Sequence, residues 1–226
     1  MGTPLESSGI SQSRRFAAVW TAWVLADAAA FACSYLPTAL NLHFLPYMEN
    51  VSVDFWVIST AIGAVLQYLV LSLLVGIGLR RSALWFPASF IYLAIVVGLV
   101  YVESQQDLLA RFWVFIGSPD LTYYAVALFT LEGAVLGLTQ GLAMAVMFRS
   151  RRVLRLWIAA NIIGAFVFGV SLNVLGTYWI GLTDVNQWSF LAAAGVAGGV
   201  LGAITGAALV GLMWRKLRSA TVLATA

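Results

Sequence analysis

The sequence predicts an all-α integral membrane protein: six transmembrane helices, organised as three tandem two-helix repeats, with both termini cytoplasmic. Three observations carry this expectation. Of the 226 residues, 62% are hydrophobic and 9% charged, and the mean hydropathy is +0.95. Soluble domains carry about 25% charge, so this chain has too few charges to cover a water-facing surface. Apolar runs long enough to cross a hydrocarbon core of about 30 Å fill almost its whole length. Finally, the chain repeats itself. Trp20, Trp85 and Trp157 each lead an apolar helix, and a helix rich in small residues follows each one.

The first span, 16–36, follows Arg14 and Arg15. Its start imitates a cleavable export signal, but the apolar run exceeds a signal core and Asp27 interrupts it, so retention is expected. Residues 1–15 are polar and Ser/Gly-rich, the composition of a disordered cytoplasmic tail. The second span, 53–76, completes a first repeat over 16–81. Spans 83–101 and 122–148 form a second repeat over 82–152. Between them, 107–116 is too apolar for a solvated loop and too short to cross, which predicts an interfacial helix on the outer leaflet. Spans 153–175 and 188–213 form the third repeat, 153–218, and 219–226 is a short cytoplasmic tail. Backbone groups in lipid must be satisfied within each segment, and these runs are too long for barrel strands; they are helices.

Charge placement sets the expected orientation. If six helices alternate, the arginines at 14, 15, 80, 81, 149, 151, 152, 155, 215 and 218, with Lys216, fall on one side. Only Arg111 falls on the other, among Glu49, Asp54, Glu103, Asp107, Asp120 and Asp184. The positive-inside rule then puts both termini in the cytoplasm and the protein in the plasma (inner) membrane. The same placement accounts for the net charge of +3 without any affinity for nucleic acid.

Segments 59–67, 132–141 and 197–206 answer the three tryptophan-led helices. The last two share G-x-V-L-G-x-x-x-G at an offset of 65, and Gln67 matches Gln140 at an offset of 73. Gly133, Gly137 and Gly141 line one helix face, as do Gly198, Gly202 and Gly206, with Thr60 and Ala64 as small counterparts on span two. Small residues at this spacing let helix backbones approach closely. The even helices are therefore expected to converge on a pseudo-threefold axis, with the odd helices outside. Trp20, Trp85, Trp157 and Trp214 are expected to form an inner aromatic belt, and Trp56, Trp113, Tyr178, Trp179 and Trp188 an outer one.

Asp27 and Glu132 interrupt this pattern. Asp27 lies 12 residues beyond Arg15, about 18 Å along a helix, and Glu132 lies 17 residues before Arg149, about 25 Å. In the tryptophan register the equivalents of Asp27 are Tyr92 and Gly164; at the offsets of 73 and 65 those of Glu132 are Ser59 and Ala197. Apart from Arg155 at the cytoplasmic end of the fifth span, no basic residue sits inside a span to pair with them. Each acid must be protonated, hydrogen-bonded or facing water. With Gln67, Gln140, Thr139 and Asn161 they form a candidate intramembrane polar site; the plainer reading is a set of interhelical hydrogen bonds.

Chemistry of other kinds is missing. His43, the sole histidine, lies in an outer loop, and Cys33 is the sole cysteine. There is no HExxH, Walker loop or GxSxG, so no catalytic residue, metal site or cofactor is assigned. Asn50-Val51-Ser52 matches a glycosylation acceptor, relevant only in a eukaryotic host. Mitochondrial carriers are also three two-helix repeats, but their Pro-x-acid-x-x-basic motif is absent here. The expected function is that of a small non-enzymatic, transport-related protein in contact with the bilayer. The alternative is a structural or assembly subunit whose glycine stripes pack against a membrane-protein partner or a second copy.

Overall fold

A computed structural model describes residues 5–36, 53–106, 121–175 and 187–225. Six long helices account for nearly all of them: α1 (Leu5–Ser34), α2 (Val53–Leu69), α3 (Trp85–Gln106), α4 (Leu121–Phe148), α5 (Arg151–Val174) and α6 (Gln187–Thr225). Six helical stretches are long and apolar enough to cross a bilayer, from Gln12–Ser34 in α1 to Leu191–Arg215 in α6; the second continues past α2 to Leu74 and the third begins before α3 at Leu79. The chain is a multi-pass membrane protein. Its outer faces carry exposed aliphatic side chains such as Leu25, Leu73, Val146 and Ile163, a surface suited to lipid and not to water. α1 begins at Leu5 and α6 runs to Thr225, so helix includes most of both segments expected to be tails. The segment 107–116, His43, Arg111, Trp113 and the outer-loop acids at 49, 107, 120 and 184 lie outside the described residues.

Consecutive helices pack side by side and antiparallel, and α6 closes on α1, so the six form a ring. Phe16 at the start of α1 meets Trp214 near the end of α6, with ring centroids 5.5 Å apart. The two termini of the spanning bundle therefore share one end, the end that bears Arg15, Arg80, Arg81 and Arg149.

Turns at that end have identifiable causes. After Leu69 the second helix continues as a π-helical turn, Val70–Leu74, with Val75 N–H donating to Val70 O at 3.0 Å. It stops at Gly76 and Gly78, whose φ values of 75° and 90° suit residues without a Cβ. The guanidinium of Arg15 donates to Leu74 O at 3.1 Å and to Val75 O at 3.2 Å, covering carbonyls that a helix end leaves bare. A single helical turn, Leu79–Ser82, then leads to α3. At the end of α4, Arg149 adopts φ 54°, and the bonds from Arg149 N to Val146 O and Ser150 N to Ala145 O form a Schellman closure.

The glycine stripes do not meet one another, which corrects the expected arrangement. Those of α4 face α5. A Cβ on Gly133 would collide with Ala165 Cβ and lie 2.6 Å from Asn161 O; one on Gly137 would lie 2.8 Å from Ile158 Cα. Those of α6 face α1. A Cβ on Gly198 would lie 2.8 Å from Asp27 O, and one on Gly202 would lie 3.0 Å from Val24 Cα. Each stripe seats a neighbouring odd helix at backbone contact, because close approach gains dispersion that hydrophobicity cannot supply in lipid. The ring's centre is instead shared by side chains of all six helices.

Candidate functional site: a polar pocket on a tryptophan triad

Trp23 of α1, Trp85 of α3 and Trp157 of α5 are fully buried and meet edge to face. Their centroids are 5.7, 5.7 and 5.9 Å apart and their planes cross at 74°, 86° and 79°. This is the geometry aromatic quadrupoles prefer. Trp85 and Trp157 thus belong to the core, not to an interfacial belt, and their third member is Trp23. Trp20 is half-exposed and donates its indole N–H to Ala203 O at 3.0 Å. Trp56, expected in the outer belt, is buried as well.

Toward the arginine-bearing end, the triad continues into a tightly packed apolar mass that includes Val19, Leu71, Met144, Met147, Val153 and Leu209. In the opposite direction it floors a half-enclosed cavity of about 50 Å³. Asp27, Gln67, Gln140 and Asn161 all line that cavity, so four of the six candidate polar residues come together. Glu132 and Thr139 do not line it. The Thr139 hydroxyl donates to carbonyls of its own helix, at 3.1 Å to Val135 O and 3.2 Å to Leu136 O. Glu132 is buried one layer away, close enough to Tyr92 to interact electrostatically. Its Oε1 has no hydrogen-bond partner among the described residues.

Hydrogen bonds run from Trp85 through Gln67 to Asp27, and a second set, from Trp23 to Thr205, ends beside the same carboxylate. Trp85 Nε1 donates to Gln67 Oε1 at 3.0 Å, and Gln67 Nε2 donates to Asp27 Oδ1 at 2.6 Å. From the other side, Trp23 Nε1 donates to Thr205 Oγ1 at 3.0 Å. The Thr205 hydroxyl lies 3.5 Å from Asp27 Oδ2 but 3.0 Å from Leu201 O. A hydroxyl has one proton to give, and the shorter contact takes it. Asp27 Oδ2 is therefore the less satisfied of the two carboxylate oxygens. On the far wall, Gln140 Nε2 donates to Ser89 Oγ at 3.3 Å and Asn161 Nδ2 to Trp157 O at 2.9 Å. The third indole, Trp157 Nε1, is buried with no partner among the described residues.

Trp23, Thr205, Ser89 and Tyr92 escaped the sequence reading. A signal for two of them, Trp23 and Ser89, exists. Trp23 and Asp27, Trp85 and Ser89, and Trp157 and Asn161 are each four residues apart, so each pair shares a helix face. Counting from Trp20 hides this, because it sets Asp27 against Tyr92 and Gly164. Counting from Trp23 sets it against Ser89 and Asn161.

The arrangement defines a polytopic membrane protein with a hydrogen-bonded acid and amide network buried at the centre of a six-helix ring. Comparison with protein families, with curated proteins and with solved structures yields no match.

Proposed function

We propose that this chain is a small, non-enzymatic carrier whose central pocket moves a proton or a proton-linked solute across the bilayer. The observation that carries the reading is Asp27: a buried carboxylate facing a cavity, hydrogen-bonded through Gln67, with no basic residue in the cavity wall. An intramembrane acid facing space is the usual mark of an ion path. Transport also requires the floor to open. The tryptophan triad closes the route to the arginine-bearing end, so it is the gate in this reading.

The same reading holds the chain to be three related units in the plasma membrane, with both termini cytoplasmic. Support for the units comes from the recurrence of a tryptophan followed four residues later by Asp27, Ser89 or Asn161. The facing positions Gln67, Gln140 and Thr205 recur at the offsets of 73 and 65. Support for the orientation comes from the gathering of arginines at one end. The subunit alternative loses its main argument, since the glycine stripes are filled by helices of the same chain.

The test is proton movement into proteoliposomes holding an internal pH-sensitive dye, driven by an imposed membrane potential. Wild-type protein should acidify the lumen, Asp27→Asn should abolish the signal, and Glu132→Gln should retain it. Equal flux through Asp27→Asn would refute the carrier reading.

A further inference from the structure

Resting on that reading, we propose that the solute is a small alkylammonium cation, bound between the Asp27 carboxylate and the aromatic walls of the central pocket. Three observations point there. Among the described residues Asp27 is the only carboxylate in the wall, and no Lys, Arg or His accompanies it. Its Oδ2 lies beside the bare backbone of Gly202 and has, among the described residues, a single long contact, to Thr205 at 3.5 Å, so it keeps capacity to accept from a bound donor. Five lining residues, Trp23, Phe31, Trp56, Tyr92 and Trp157, are aromatic, and their rings offer negative faces to a cation.

Size and hydration then choose among cations. The free space of about 50 Å³ holds roughly three or four water-sized groups, the size of methyl- to trimethylammonium. An alkali ion needs several free oxygen ligands to replace its hydration shell, whereas Gln67 Oε1 already accepts from Trp85, Thr205 Oγ1 from Trp23 and Ser89 Oγ from Gln140. An alkylammonium ion carries its own apolar surface, is more weakly hydrated, and needs one anionic acceptor beside aromatic faces. The apolar mass under the triad closes the side toward the arginines, and on the opposite side Phe31, Phe168, Phe129 and Trp56 stand in successive ring contact, so entry there requires that aromatic layer to part.

The experiment is a titration of the full chain in nanodiscs with dimethylammonium chloride, read by intrinsic tryptophan fluorescence and by thermal unfolding. Controls at matched ionic strength are sodium chloride, the neutral isostere propan-2-ol, and tetrabutylammonium. Dimethylammonium should give a saturable fluorescence change and raise the unfolding midpoint, while all three controls leave both unchanged. Asp27→Asn should weaken binding by about tenfold or more, the least expected for removing the anionic partner of a buried cation. A response to sodium or propan-2-ol equal to that of dimethylammonium, or the absence of any saturable response, overturns the proposal. These wild-type comparisons decide even if Asp27→Asn does not fold. Proton flux that persists without dimethylammonium binding would remove this inference and leave the carrier reading standing; loss of flux would remove the reading itself.

Discussion

The two halves of the bundle, divided by the tryptophan triad, are built on opposite terms. Toward the arginines, helix-facing side chains are Val, Leu, Met and Trp, packed without a polar group among the buried members of the cluster. On the other side, Asp27, Gln67, Gln140 and Asn161 surround open space. The same six helices supply both halves, so the difference lies in what each carries one or two turns further along. A membrane protein gains little from hiding apolar surface that lipid would also accept, so the dry half holds by close packing and the wet half by hydrogen bonds. Perturbations should separate them: packing defects should cost stability in the dry half, and polar defects should cost function in the wet one.

The largest stability effect is expected at the dividing layer. Trp157→Ala removes a fully buried indole that meets two others edge to face, and should cost about 3–5 kcal/mol. The half-exposed Trp20, truncated the same way, should cost about 1 kcal/mol, chiefly its bond to Ala203 O. Equilibrium unfolding in mixed micelles reads both, and equal costs would show that the triad is not a packing centre.

Next in size are the glycine seams. Gly133→Val drives a side chain into Ala165 and the Asn161 carbonyl and should cost about 1–3 kcal/mol. Gly98→Val, whose Cβ would meet nothing within 4 Å, is the control and should be nearly neutral by the same measurement. If the two variants unfold alike, α4 and α5 are not held at backbone contact.

In the wet half the order of effects reverses. Asp27→Asn keeps an acceptor for the Gln67 amide and should shift stability by less than about 1 kcal/mol, even as it abolishes flux. A variant that instead unfolds the protein would make Asp27 a structural residue and erase the distinction between the halves.

How much of this was legible depends on range. Six helices could be read from run lengths because lipid forces each segment to satisfy its own backbone, a local constraint. Gln67, Gln140, Asn161 and Asp27 stood out because polar groups are costly in such runs. Which faces meet is not local. Trp20 and Trp23 sit three residues apart and both suit an aromatic belt or a core; the fold separates them, burying Trp23 against Trp85 and Trp157 and leaving Trp20 half-exposed on Ala203 O. The glycine stripes announced close approach but not to which helix. An even helix here can turn its stripe toward the following odd one, as α4 does, or close the ring on the first, as α6 does. Glu132 groups with Asp27 in the sequence as a second intramembrane acid, yet it does not line the pocket, a matter of its depth and rotation on α4.

The smallest expected effect tests the end of the dry half. Arg15 covers the carbonyls of Leu74 and Val75, whereas its neighbour Arg14, also exposed, makes no such bond. Charge attraction to lipid headgroups would make the two arginines equivalent; capping would not. Because the cap is exposed, solvent discounts it, and Arg15→Gln should cost about 0.5 kcal/mol, near the limit of global unfolding methods. A local readout is better suited. Amide hydrogen exchange at Val75 and Ile77 follows the opening of the π-turn, through their bonds to Val70 O and Leu71 O. Arg15→Gln should accelerate exchange there and Arg14→Gln should not. Equal acceleration would mean that the arginines at this end act only as a charged rim, with no part in finishing the helix.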